Sequence, residues 1–131
     1  MKASFISAIS KVDSEEWNAL CGIDYPFLRH EFLNALEQSG SVGVETGWLP
    51  QHLLLHDNNA LVAVMPLYVK RHSYGEYVFD WGWAEAYQRH GLLYYPKLVT
   101  AIPFTPISGP RYGVAKNVDQ LAALDAMLAA V

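Results

Sequence analysis

The twenty residues Gln51–Lys70, QHLLLHDNNALVAVMPLYVK, decide how this chain folds. Two apolar runs, Gln51–His56 and Leu61–Lys70, flank the polar stretch Asp57-Asn58-Asn59-Ala60. Asparagine tolerates the left-handed backbone that a tight turn needs, so the pattern predicts a β-hairpin. Pro66 has no N–H to give to a ladder and predicts an edge position or a bulge in the second run. His52 and His56 would share a face on a helix and could chelate a metal. On a strand they lie ~13 Å apart, too far for one ion, and are expected as surface histidines of the hairpin.

Upstream, residues 3–9 (ASFISAI) alternate as a first strand. DSEEWNALC then opens a helix, with Asp13 as cap, Glu16 completing a capping box, and Trp17, Leu20 and Cys21 on one face. After DYPF, the positions Leu28, Phe32 and Leu36, widened by Leu33, predict a second helix that stops at Gly40. Downstream, GEYVFD (75–80) and KLVTAIPF (97–104) read as two short strands. NVDQLAALDAMLAAV (117–131) reads as a last helix, capped by Asn117 with Gln120 and striped by Leu121, Leu124 and Leu128. The order strand-helix-helix-hairpin-strand-strand-helix is an α+β arrangement. The last helix shows no Gly, Pro or cationic stop. The expectation is a single incomplete domain, residues 1–131, forming the N-terminal part of a longer protein.

The chain has 131 residues, 52% of them hydrophobic and 17% charged, with a formal net charge of −4. That composition argues against disorder and, without a basic run, against DNA binding. The single cysteine, Cys21, excludes an intrachain disulfide and fits a reducing, cytoplasmic setting. Its bland reading is a small buried apolar residue. No window reaches the ~20 apolar residues of a membrane span.

Ionisable and aromatic chemistry concentrates in Phe79–Lys97, FDWGWAEAYQRHGLLYYPK. Irregular spacing and glycine breaks suggest that Trp81, Trp83, Tyr87, Tyr94 and Tyr95 are carried on loops, where they either fill the core or touch a ligand. Glu76, Asp80 and Glu85 invite a glycosidase reading, but sequence spacing does not set the separation of carboxylates. A carbohydrate-binding module would account for the rings but not for the two early helices. ISGPRYGVA (107–115) is either an ordinary connection or a glycine-bearing loop that opens a helix. In the second case Gly113 would offer N–H groups, and Arg111 a charge, to a phosphate.

Several segments taken together, PFLRHEFLNALEQSGSV, GWLPQHLLL, FDWGWAEAY, YYPKL and PFTPISGPR, resemble the N-terminal part of the FemAB-like proteins. These are similar to peptidoglycan-bridge aminoacyltransferases and are grouped with GNAT-type N-acyltransferases. The resemblance implies a GNAT-like αβα arrangement on a mixed, mainly antiparallel sheet. It also implies transfer of an acyl or aminoacyl group to an amine on a small-molecule or peptide substrate. The donor would be an acyl-CoA or aminoacyl species, with no covalently bound cofactor and no metal. Asp80, Glu85 and His90 would deprotonate or orient the amine, and Trp81, Trp83, Tyr87, Tyr94, Tyr95 and Lys97 would bind substrate. Arg111 and Gly113 would hold the donor phosphate. The alternative is a non-catalytic recognition or dimerisation domain that forms a homodimer through the C-terminal helix.

Overall fold

A computed structural model describes residues 1–131 as an α+β fold in which every strand pair is antiparallel. The hairpin forms as expected from β3 (His52–Asp57) and β4 (Ala60–Met65). Asn58 and Asn59 carry the turn at φ 48° and 68°, and Asp57 pairs with Ala60. β1 (Lys2–Ile6) and the two-residue β7 (Gly113–Val114) flank the hairpin, which gives a four-stranded sheet of order β1-β3-β4-β7. A second sheet, of order β2-β5-β6, is built from Leu49–Pro50, Tyr68–Lys70 and Lys97–Val99.

Pro66 explains the existence of two sheets. The long second run of the hairpin does not stay on one ladder; it breaks at Pro66 and Leu67, leaving β4 on the first sheet and β5 on the second. A residue without an N–H cannot extend the first ladder. The hairpin's one register shift lies between Leu55 and His56, not at Pro66, where the chain instead leaves the ladder.

The central strands are buried on both faces, which is why they read as unbroken apolar runs. Leu53, Leu55, Ala63 and Met65 face one way, against Ala123 and Met127 of α4 (Gln120–Leu128). Leu54 and Val64 face the other way, against Ile9, against Trp17 of α1 (Ser14–Cys21), and against Leu33 of α2 (His30–Gln38). Asp13 caps α1 by accepting from the N–H groups of Glu15 and Glu16. Leu28 falls in a separate 3-10 turn ahead of α2, where its carbonyl accepts the Trp17 indole N–H at 2.8 Å.

Four expectations need correction. GEYVFD forms no strand, because it pairs with no neighbouring strand and its acidic residues are drawn away by lysines, as described below. A helix, α3 (Trp81–Arg89), forms where loop-borne rings were expected; none of its residues is buried, so no apolar stripe marks it in the sequence. α4 is capped by Asp119, not Asn117, and its buried face is Ala123 and Met127 while Leu121 and Leu128 face outward. His52 is fully buried rather than on the surface.

His52 joins the two sheets. Its Nδ1 accepts the Leu67 N–H at 3.3 Å, the donor freed where the ladder breaks, so its Nε2–H donates to Glu37 at 2.9 Å. The same Glu37 carboxylate accepts the Ile9 N–H at 3.1 and 3.0 Å. Replacing Glu37 with alanine strands two buried donors, and it is expected to lower stability by about 2–4 kcal/mol in urea unfolding. Wild-type stability in that variant would show the link to be dispensable.

Candidate functional site

The site grows from a clash that strand pairing creates. β5 and β6 run antiparallel with Lys70 directly opposite Lys97, and like charges so placed repel. The Lys70 side chain is fully buried and that of Lys97 is only 14% exposed. Glu76 lies between them, 4.0 Å from Lys70 Nζ and 2.7 Å from Lys97 Nζ. Asp80 bonds Lys97 from the other side. The cluster holds two cations and two carboxylates, and is balanced.

Asp80 stands at the N-cap position of α3, yet its side chain does not cap the helix. It turns inward to accept from Lys97, Ser73 and Tyr94. Burial pushes its carboxyl up, but those three bonds outweigh burial and hold it well below the usual carboxylate range. The bond to Asp80 and burial together push the Tyr94 phenol up to about 12. Burial lowers Lys70, with Glu76 and Asp80 opposing. Burial also works against the charge of Lys97, but the bonds to Asp80 and Glu76 dominate and raise it. Lys70 is further held by the Tyr74 carbonyl and lies 4.0 Å over the Trp48 ring.

Beside this cluster opens a groove of about 540 Å³, with Trp81, Glu85 and Gln88 of α3 on one side and His72, Tyr74, Leu92 and Leu93 among the facing residues. Ser73, Tyr94 and Tyr95 line it too, and their hydroxyls tie it to the cluster: Ser73 and Tyr95 lie 2.6 Å apart. The structure thus brings Asp80, Tyr94, Tyr95 and Lys97 into one network, and sets Trp81 and Glu85 at the groove beside it. Tyr87 packs edge-on against Tyr94 at 5.1 Å. Trp83 is exposed on α3 and His90 ends that helix; neither lines the groove.

Arg111 and Gly113 lie elsewhere. The Arg111 guanidinium donates to Tyr25 Oη at 3.0 Å and to the carbonyls of Ile107, Gly109 and Pro110, stapling its own loop. Gly113 is buried in β7, not at the start of a helix. A Cβ there would meet the Leu20 carbonyl oxygen at 2.7 Å, so its glycine is explained by close packing on α1. Cys21 is half-buried, and burial pushes its thiol up to about 12, which disfavours the thiolate form.

Lys70 and Ser73 were missed by the sequence reading, and Glu76 entered it only as a glycosidase carboxylate. The overlooked signal was parity: Lys70 is two residues from Tyr68 on a strand, hence on the same buried face. A lysine there requires a carboxylate.

Comparison with known proteins is decisive on one point. The family model FemAB-like, described as peptidoglycan biosynthesis/recognition, matches residues 8–131. The chain belongs to the FemAB-like family. No curated protein and no solved structure matches it. No helix of this FemAB-like chain is long and apolar enough to cross a membrane.

Lys97→Met leaves two carboxylates without their shared cation and is expected to destabilise the fold by about 3–5 kcal/mol. Asp80 titrates lower in the folded chain than its ordinary 3.8. Its contribution is therefore complete above that pH and fades as pH falls toward the folded value. Acid titration of stability should show a loss below about pH 4 that is shallower in Asp80→Asn; identical profiles would contradict the assignment.

Proposed function

We propose that this FemAB-like chain provides the acceptor-binding groove of an N-acyltransferase, which moves an acyl or aminoacyl group from an activated donor to an amine on a peptidoglycan-type acceptor. The observation that carries the reading is an open, ring-lined groove beside a charge cluster whose members are already committed. No side chain there is poised as a nucleophile, since the Ser73 hydroxyl is held by Asp80 and Tyr95. Such a site suits direct attack. The acceptor nitrogen bonds the acyl carbon, the bond from that carbon to the donor's leaving group breaks, and the nitrogen's proton goes to a base.

Asp80 is a poor base, because its hydrogen bonds stabilise the ionised form. Its work is to hold the tyrosines and Lys97 in place. Glu85 is the carboxylate open to the groove, 64% exposed and paired only with Arg89 at 2.9 Å. We assign proton acceptance to Glu85, with Trp81, Tyr94 and Tyr95 forming the acceptor's seat. Arg111 and Gly113 are left as parts of the loop and strand framework, so the donor is assigned no phosphate contact.

The test is a thermal-shift titration with amine-bearing peptides, acyl-CoA species and aminoacyl donors, followed by a transfer assay. A bound substrate raises the melting temperature with the logarithm of its excess. Glu85→Gln should keep the melting temperature and reduce turnover by about 10²–10⁴-fold. No shift from any donor or acceptor would defeat the reading.

One observation favours a second reading, a recognition or dimerisation domain. Leu121 and Leu128 of α4 are 73% and 56% exposed. Sedimentation would then show a dimer that Leu121→Ser with Leu128→Ser dissociates. A monomer at every concentration removes it.

A further inference from the structure

α3 buries none of its residues; Tyr87 packs on Tyr94 and Trp81 on Phe79, at 5.1 and 5.0 Å between ring centroids, and the rest of the Trp81 ring stays open. Trp81, Ala84, Glu85 and Gln88 all line the groove. Their spacing of i, i+3, i+4 and i+7 places them on one helical face, with Trp81 and Gln88 about 10 Å apart along the axis. Trp81 leaves 58% of its surface exposed there. Gln88 is exposed and offers a carbonyl acceptor and two N–H donors. Trp83, two residues along from Trp81, does not line the groove.

Charge narrows the class of ligand. Glu85 is matched by Arg89, and Asp80 by Lys97, so a ligand finds no unpaired charge on this wall. An ammonium or a phosphate gains little there. A molecule with a flat apolar face and an uncharged hydrogen-bonding rim gains from both the indole and the carboxamide. A pyranose has that shape: its axial C–H bonds make the apolar face and its hydroxyls the rim.

We propose that this face of α3 binds a saccharide, with one pyranose ring lying on the Trp81 indole and a hydroxyl of the following sugar bonded to Gln88. Glu85, a turn away from either, stays available for proton transfer. The inference rests on the reading of the groove as the acceptor's seat and names the body of that acceptor as sugar.

The experiment follows the indole N–H signals of the ¹⁵N-labelled chain during titration with an uncharged trisaccharide of N-acetylglucosamine, and in parallel with trialanine carrying a free amine. The saccharide should shift the Trp81 signal saturably and leave that of Trp83 in place. Trp81→Ala should weaken binding by at least about tenfold, and Gln88→Ala by about three- to tenfold. Trp83→Ala should bind as wild type. These side chains are exposed, so the variants are expected to fold. Absence of a saturable Trp81 shift, or equal affinity in Trp81→Ala, overturns the proposal. Trialanine binding without saccharide binding overturns it too, yet leaves the acceptor groove standing. Saccharide binding without transfer to any amine sinks the transferase reading and keeps this one.

Discussion

The second sheet depends on a repulsion that had to be cancelled. Register places Lys70 across from Lys97, both largely removed from water. Two uncompensated buried cations would cost more than three short strands return. Glu76 and Asp80 cancel the charge, and in doing so fix the path of residues 71–80, which have no ladder of their own. Asp80 ends that path at the first turn of α3, so the ionic cluster also sets where the helix begins.

That arrangement separates bonded groups from open ones. Ser73, Tyr94 and Tyr95 are linked through Asp80, which also bonds Lys97, and together form one wall. The groups open to the groove, Trp81, Glu85 and Gln88, stand on a helix attached at that wall but not sunk into the core. Preorganised groups beside open ones are what a binding groove needs, because the ligand then orders little of the protein on arrival. The chain belongs to the FemAB-like family, described as peptidoglycan biosynthesis/recognition, and the charges around the groove are paired.

Much of the scaffold was legible because local rules and burial agreed there. Asn58-Asn59 dictated the turn, Asp13 the cap of α1, and the continuous apolar runs the doubly covered strands. Legibility failed where the two parted. α3 has no buried face to leave a period in the sequence, and GEYVFD, short, apolar and bounded by turn signals, suggested a strand for which no partner exists. His52 looked like a surface residue because nothing nearby in sequence announces Glu37, fifteen positions earlier, as its partner.

The sequence by itself determined the α+β class, the hairpin, the helices at each end and the richness of the 79–97 segment in rings and charges. Those follow from backbone preference and hydrophobic period, which act over a few residues. Tertiary structure alone decided that Pro66 splits one run between two sheets, and that Asp80 is bonded to Lys97, Ser73 and Tyr94. It alone placed Glu85 and Trp81 on the open groove. Charge pairing and groove formation join residues far apart in the chain, and their energies depend on distances that spacing in sequence does not record.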